Sequence, residues 1–187
     1  MRRCAVLIGC ALLLTGCASV AREPDNLALV RVLGIDGTSS VTLTAVCARD
    51  AQGEVRRGSA EAEGFEQARK QIPWSGKAEE LSLTGVSYLL VGPEANLESL
   101  LYSVLEDADL GATATVWLME AGVSAELEAC EDPAADLELL TLRGVEAPTV
   151  AQAVAALSSK GEVYLPSLGA QDGKLEERGV RRWKTEN

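Results

Sequence analysis

The chain has 187 residues, with 17 Lys and Arg against 28 Asp and Glu, a formal net charge of −11, and no histidine. So acidic a surface repels nucleic acid and anionic lipid headgroups, which argues against either as a partner. Without histidine there is no Ser-His-Asp triad, no Cys-His pair, no His-ligated zinc and no histidine pH switch.

The chain opens on Arg2 and Arg3 followed by an apolar run, Cys4 to Leu14. That run is too short for a helix that needs roughly 20 residues to cross a bilayer, and the basic start with small residues behind it fits a secretory signal. It closes on Leu14-Thr15-Gly16-Cys17, the form of a lipobox: an aliphatic residue, a small one, Gly, then Cys. Cleavage before such a Cys follows alkylation of its thiol with diacylglycerol. Residues 1–16 are therefore expected to be a lipoprotein signal peptide, Cys17 the lipid attachment site, and 17–26, broken by Pro24, a lipidated tether. A plain signal-peptidase cut near Ala18 to Ala21 is the rival. Each buried methylene adds about 0.8 kcal/mol and one chain binds only reversibly, so the two or three chains on Cys17 would anchor it lastingly. Loss of Arg2 and Arg3 leaves 15 basic against 28 acidic residues, net −13. The expected location is the extracytoplasmic face of a membrane.

Residues 27–187 read as a single globular domain. Leu27 to Ile35 is a strand ending in the turn signal Gly34-Ile35-Asp36-Gly37, and Val41 to Ala48 alternates as its hairpin partner. Val55 to Ala62 is a weaker strand, and Gly64 to Ile72 a short helix stopped by Pro73. Leu81 to Val91 is nearly continuous aliphatic and β-branched sequence, as in a strand buried on both faces, and Gly92-Pro93 stops it. Leu97, Leu100, Leu101, Val104, Leu105 and Ala108 form one apolar helical stripe, with Asn96 as N-cap and Gly111 as the C-terminal glycine.

Ala112 to Met119 is again a strand, and Val123 to Cys130 a short helix. Glu131 to Val145 is ambiguous, with a break near Asp132-Pro133 between a first lobe and a helical tail piece. Thr149 to Gln152 is a capping box that opens a helix to Ser159, with Gly161 beyond it. A hairpin ends the chain: Glu162 to Leu168, a turn at Gln171-Asp172-Gly173, and Lys174 to Lys184. The interleaving implies a mixed α/β (α+β) fold: one twisted mixed sheet, helices packed against it, and a C-terminal β-hairpin.

Candidate chemistry is sparse. The carboxylate clusters Glu79-Glu80, Glu106-Asp107-Asp109 and Glu176-Glu177 invite comparison with a glycosidase pair, but neighbouring surface carboxylates read as solvated charge. The glycines form neither a phosphate loop nor a dinucleotide fingerprint, and Asp172-Gly173 lacks calcium-loop spacing. No catalytic residue, cofactor-binding residue, cofactor or metal site is expected. Asp36 reads as a turn-former that caps backbone donors. Gly85, inside an apolar run, marks a bulge or close backbone approach, or else a docking surface for a partner strand or loop. Trp74 and Trp183 read as core-edge packing or as interface anchors. Cys47 and Cys130 read first as small buried hydrophobes and second as a disulfide.

Taken in order, these motifs resemble the Ger(x)C family, the lipoprotein C subunits of the nutrient germinant receptors of bacterial spores. The resemblance runs through Cys17, Arg22-Glu23, Leu27-Ala28-Leu29-Val30 and Gly34-Ile35-Asp36. It continues through Gly64 with Ala68, the apolar strand to Gly92 with Glu94, the helix Leu97 to Leu105, and Asp107. Ala114 to Leu118, Gly122 with Ala125, Leu165-Pro166-Ser167-Leu168, and Gly179 with Trp183-Lys184 complete it. Ala18-Ser19, Gly85, Glu106 and Gly111 depart from the residues common in the family. The match covers nearly all of the expected mature chain and corresponds to the family's first domain.

The resemblance implies a non-enzymatic, membrane-bound subunit of spore germination on the outer face of the spore inner membrane. Its partners would be an integral-membrane A subunit and a transporter-like B subunit of the receptor. Only Cys17 carries over as a functional residue. The rival from a different class is a surface lipoprotein that binds a small solute for uptake or sensing; an acidic-residue hydrolase comes third.

Overall fold

A computed structural model describes residues 27–50, 52–73, 80–107 and 109–185. The strands are β1 (Leu27–Asp36), β2 (Val41–Cys47), β3 (Arg57–Ala62), β4 (Glu80–Ser82), β5 (Tyr88–Val91), β6 (Thr115–Met119), β7 (Glu162–Gln171) and β8 (Lys174–Lys184). The helices are α1 (Phe65–Gln71), α2 (Leu97–Glu106), α3 (Val123–Ala129), α4 (Pro133–Leu142) and α5 (Val150–Lys160). The eight strands form one mixed sheet in the order β3-β2-β1-β5-β6-β7-β8, with β4 pairing the start of β1. β1, β5, β6 and β7 run parallel, as does β4 beside β1; β2, β3 and β8 complete the two sides as antiparallel neighbours. The expected mixed α+β class, single sheet and C-terminal hairpin are all present.

Strand alternation divides the interior into two cores. On one face, Leu33, Ile35, Leu43, Leu89, Val91, Val116 and Leu165 pack against α1, α2 and α5 through Ala68, Leu101, Val104, Ala153 and Leu157. On the other, Val32, Val46, Leu90, Trp117, Met119 and Leu168 pack against Val123 and Leu127 of α3 and Leu137 of α4. Trp117 is fully buried there, and its indole N–H donates to Thr115 Oγ1 at 2.9 Å, so the ring brings in no unpaired polar atom. A register shift between Val30 and Val32 lets both valines be buried on opposite faces of β1 although they are two residues apart.

The single strand expected from Leu81 to Val91 is two strands. Leu83 O accepts from Val86 N at 3.0 Å, closing a turn at Thr84-Gly85 between β4 and β5. A Cβ on Gly85 would lie 3.1 Å from Val30 O, so this glycine does mark a close backbone approach, beside the irregularity in β1. The mostly apolar run hid the turn because Leu81 and Leu83 before it, and Val86, Leu89, Leu90 and Val91 after it, are all buried.

Helix α2 stops at Glu106, before the Gly111 expected to finish it, and Ala108 lies outside the described residues. Asp107 Oδ1 accepts from Asp109 N at 2.8 Å, a local bond that competes with continuing the helix. The stripe is narrower too: Leu97, Leu101 and Val104 are buried, while Leu105 is exposed. Asn96 caps as expected, accepting from Ser99 N at 3.0 Å.

The ambiguous stretch after Glu131 is α4, and Asp132-Pro133 is its start rather than a break between lobes. Asp132 Oδ1 accepts from Ala135 N at 3.2 Å and Pro133 occupies the first turn, where its missing N–H is harmless. The helix covers the second core, and β7 beyond it joins the same sheet. Helix α5 has the expected capping box between Thr149 and Gln152 and ends at Gly161 with φ 67°. Asp172 and Gly173, with φ of 51° and 77°, make the two-residue turn that the twist of the β7–β8 hairpin favours.

Candidate functional site

Because β1, β5 and β6 are parallel, their carboxyl ends open on one edge of the sheet. The chain leaves β1 toward β2 on one side and leaves β5 toward β6 on the other, a switch in strand order of the kind beside which α/β sheets form clefts. A hollow of about 430 Å³ lies there, lined by residues 36–40, Thr42, Glu61, Glu94 and 122–125. Asp36, Glu61 and Glu94 contribute carboxylates; Thr38, Ser39, Ser40, Thr42 and Ser124 contribute hydroxyls; no Lys or Arg lines it.

Asp36 is held from two directions. Its Oδ1 accepts from Gly37 N at 2.9 Å, and its Oδ2 accepts from Val123 N at 3.3 Å at the start of α3, 87 residues further on. The turn-forming role read from sequence is present, with a long-range tie added to it. Gly92 makes room for this: a Cβ there would stand 2.2 Å from the Asp36 carboxylate. Ser40 Oγ donates to Glu61 Oε1 at 2.6 Å, and Thr44 and Ser59 share a hydrogen bond of 3.1 Å below the rim. These groups can accept hydrogen bonds from, and attract positive charge on, a polar molecule. They do not make a nucleophile paired with a base.

The remaining candidates are scattered. Cys17 and Trp74 lie outside the described residues, as does Glu79, and of Glu80 only the strand pairing is described. Asp107 and Asp109 bind Arg69 of α1, at 3.4 and 2.6 Å, so this acidic corner ties two helices together. Glu176 pairs with Arg178 at 3.6 Å on β8, and Glu177 is exposed on the same strand. No group of three or more His, Cys, Asp or Glu that could hold a metal occurs among the described residues. No helix among them is long and apolar enough to cross a membrane. Trp183 is partly buried and packs on the edge of the first core.

Cys47 and Cys130 do not pair. Both are free and buried, Cys47 in the first core and Cys130 in the second, so the sheet lies between them. Burial pushes the Cys47 thiol up to about 12 against a smaller opposing pull from Arg56, and the Cys130 thiol up to about 11. Thiols held protonated in this way are poor nucleophiles.

Sequence reasoning did not find the hollow. Its acids come from three separated segments, around Asp36, Glu61 and Glu94. The available signal was the pair of breaks at Gly92, directly behind β5, and Gly122, three residues behind β6, together with Gly37 behind Asp36.

No protein family matches the chain, and no curated protein does. Among solved structures the chain is similar to one described as the crystal structure of the GerBC protein, at 15% identity and a TM-score of 0.42, over 87% of this chain and 51% of that one. The chain thus spans about half the length of that structure, and a likeness so distant carries no argument about function.

Proposed function

We propose that the chain is a non-enzymatic lipoprotein, anchored by acylated Cys17 on the extracytoplasmic side of a membrane, that acts in spore germination through contacts with integral-membrane receptor subunits. The ordered motif set behind the lipobox, with Gly34-Ile35-Asp36 at its centre, carries this reading. The residues of that motif hold demanding positions: a Cβ on Gly34 would stand 2.3 Å from Val123 Cγ1, Ile35 is fully buried, and Asp36 joins β1 to α3. Neighbouring reading frames should encode two polytopic membrane proteins, and deletion should slow nutrient-triggered germination. Normal germination in every nutrient tested, with an unrelated gene neighbourhood, contradicts the proposal.

One observation favours a second reading, a surface lipoprotein that binds a small solute. The hollow at the carboxyl ends of the strands is large enough for a small polar molecule and is lined by acceptors. Calorimetric titration of the unlipidated domain with amines and polyols tests it. Saturable binding lost in Glu94→Gln supports a solute-binding protein, and absence of heat across both classes removes it.

A further inference from the structure

The parallel strands give the domain two opposite edges, and their surfaces differ. At the carboxyl edge lies the hollow with Asp36, Glu61 and Glu94. At the amino edge lie Leu29 near the start of β1, Tyr164 near the start of β7, and Leu142 at the end of α4, exposed by 54, 56 and 79%. The placement of Leu142 follows from the chain behind it. Val145 and Ala147 pack on the second core, and Thr149 then bridges to Thr115, the first residue of β6.

The amino edge carries mixed charge. Arg31, Arg143, Lys160 and Lys184 lie toward it, and none forms an ion pair with another described residue. Glu54 in the β2–β3 loop, Glu106 at the end of α2, Glu138 and Glu146 balance them, and Glu80 begins β4 on the same edge, while Glu162 is taken up by Arg182 at 3.7 Å.

We propose that the amino edge of the sheet rests on the bilayer, with Leu29, Leu142 and Tyr164 at the level of the lipid headgroups, so that the hollow faces away from the membrane. The proposal rests on acylation of Cys17. Leu27 follows Cys17 by ten residues, a reach of at most about 35 Å when fully extended. Bringing the carboxyl edge to the bilayer would use nearly all of that reach, because β1 alone is ten residues, roughly 30 Å long. With the amino edge down, the tether needs no such extension. Exposed leucine and tyrosine suit the boundary between headgroup and acyl chain.

Fluorescence quenching on the full lipidated chain, reconstituted in phosphatidylcholine–phosphatidylglycerol vesicles, tests the orientation. An environment-sensitive dye is placed on Leu142→Cys or on Ser39→Cys at the rim of the hollow, Cys47 and Cys130 being buried. Nitroxide on the lipid headgroups should quench the dye at 142 and leave the dye at 39 unchanged. Equal quenching at both positions, or more at 39, overturns the proposal. So does a dye at 142 that is shielded from aqueous iodide yet untouched by lipid nitroxide, which would mean that a second copy or another protein covers the edge. A chain that carries no acyl mass and does not float with vesicles removes the Cys17 anchor itself, and the orientation with it.

Discussion

Gly34 shows how a motif can be legible while its reason is not. From sequence it marks the approach of a turn. In the fold it lies within β1, where α3 crosses so closely that a Cβ would meet Val123 Cγ1 at 2.3 Å and Leu127 Cδ1 at 3.0 Å. Both partners are fixed in the second core, so relief requires α3 to move. Gly34→Ala should lower stability by about 2 kcal/mol or more, read from the urea midpoint; an unchanged midpoint would mean that α3 packs less tightly on β1.

The two cysteines yield a pH prediction. Each thiol is raised above its ordinary 9.0, Cys47 to about 12 and Cys130 to about 11, chiefly by burial. Above about pH 9 the unfolded chain releases these protons while the folded chain keeps them, so stability falls as pH rises from there toward the folded values. Cys47→Ala should flatten part of that decline in urea titrations between pH 8 and 10.5, and an identical slope in both proteins would contradict the burial.

At the scale of elements, strong local signals coincide with tertiary structure and weak ones do not. Asn96, the Thr149–Gln152 box, Gly161 and the Asp172-Gly173 turn each satisfy backbone groups within a few residues, so their effect is written in adjacent sequence. The division of Leu81–Val91 into β4 and β5 depends instead on Val30 O across the sheet, and the early end of α2 on a local Asp107 bond and on Arg69, 38 residues back. Helix α3 is a similar case. Its seven residues have no side-chain N-cap of their own; Asp36 serves its first turn, and Arg57 of β3 serves its last. Arg57 donates to Leu127 O at 3.2 Å, Cys130 O at 2.6 Å and Glu131 O at 2.8 Å, satisfying carbonyls at a helix C-terminus where positive charge is favoured. Arg57→Met should cost about 2–3 kcal/mol by chemical denaturation, because charged hydrogen bonds to partly buried carbonyls are lost together. A loss under about 0.5 kcal/mol would place those carbonyls in water.

For the whole molecule, the interleaving of strand and helix patterns anticipated the class of fold but not which residues meet at the edges of the sheet. Averaged over the chain, the charge is uniformly negative in appearance. Folding gathers carboxylates and hydroxyls into the hollow at the carboxyl edge, and only the topology of the parallel strands determines which residues share an edge. The hollow was illegible for the same reason, since its acids meet only after β1, β3 and β5 have taken their places. The account of function depends on the lipid. Intact mass and N-terminal peptide analysis of the protein extracted from membranes measures it directly. The account predicts a chain that begins at Cys17 with diacylglycerol, or diacylglycerol and an amide-linked acyl group, on that residue, and loss of all acyl label in Cys17→Ala. A product recovered from the cytosol with residues 1–16 attached and Cys17 unmodified would contradict it.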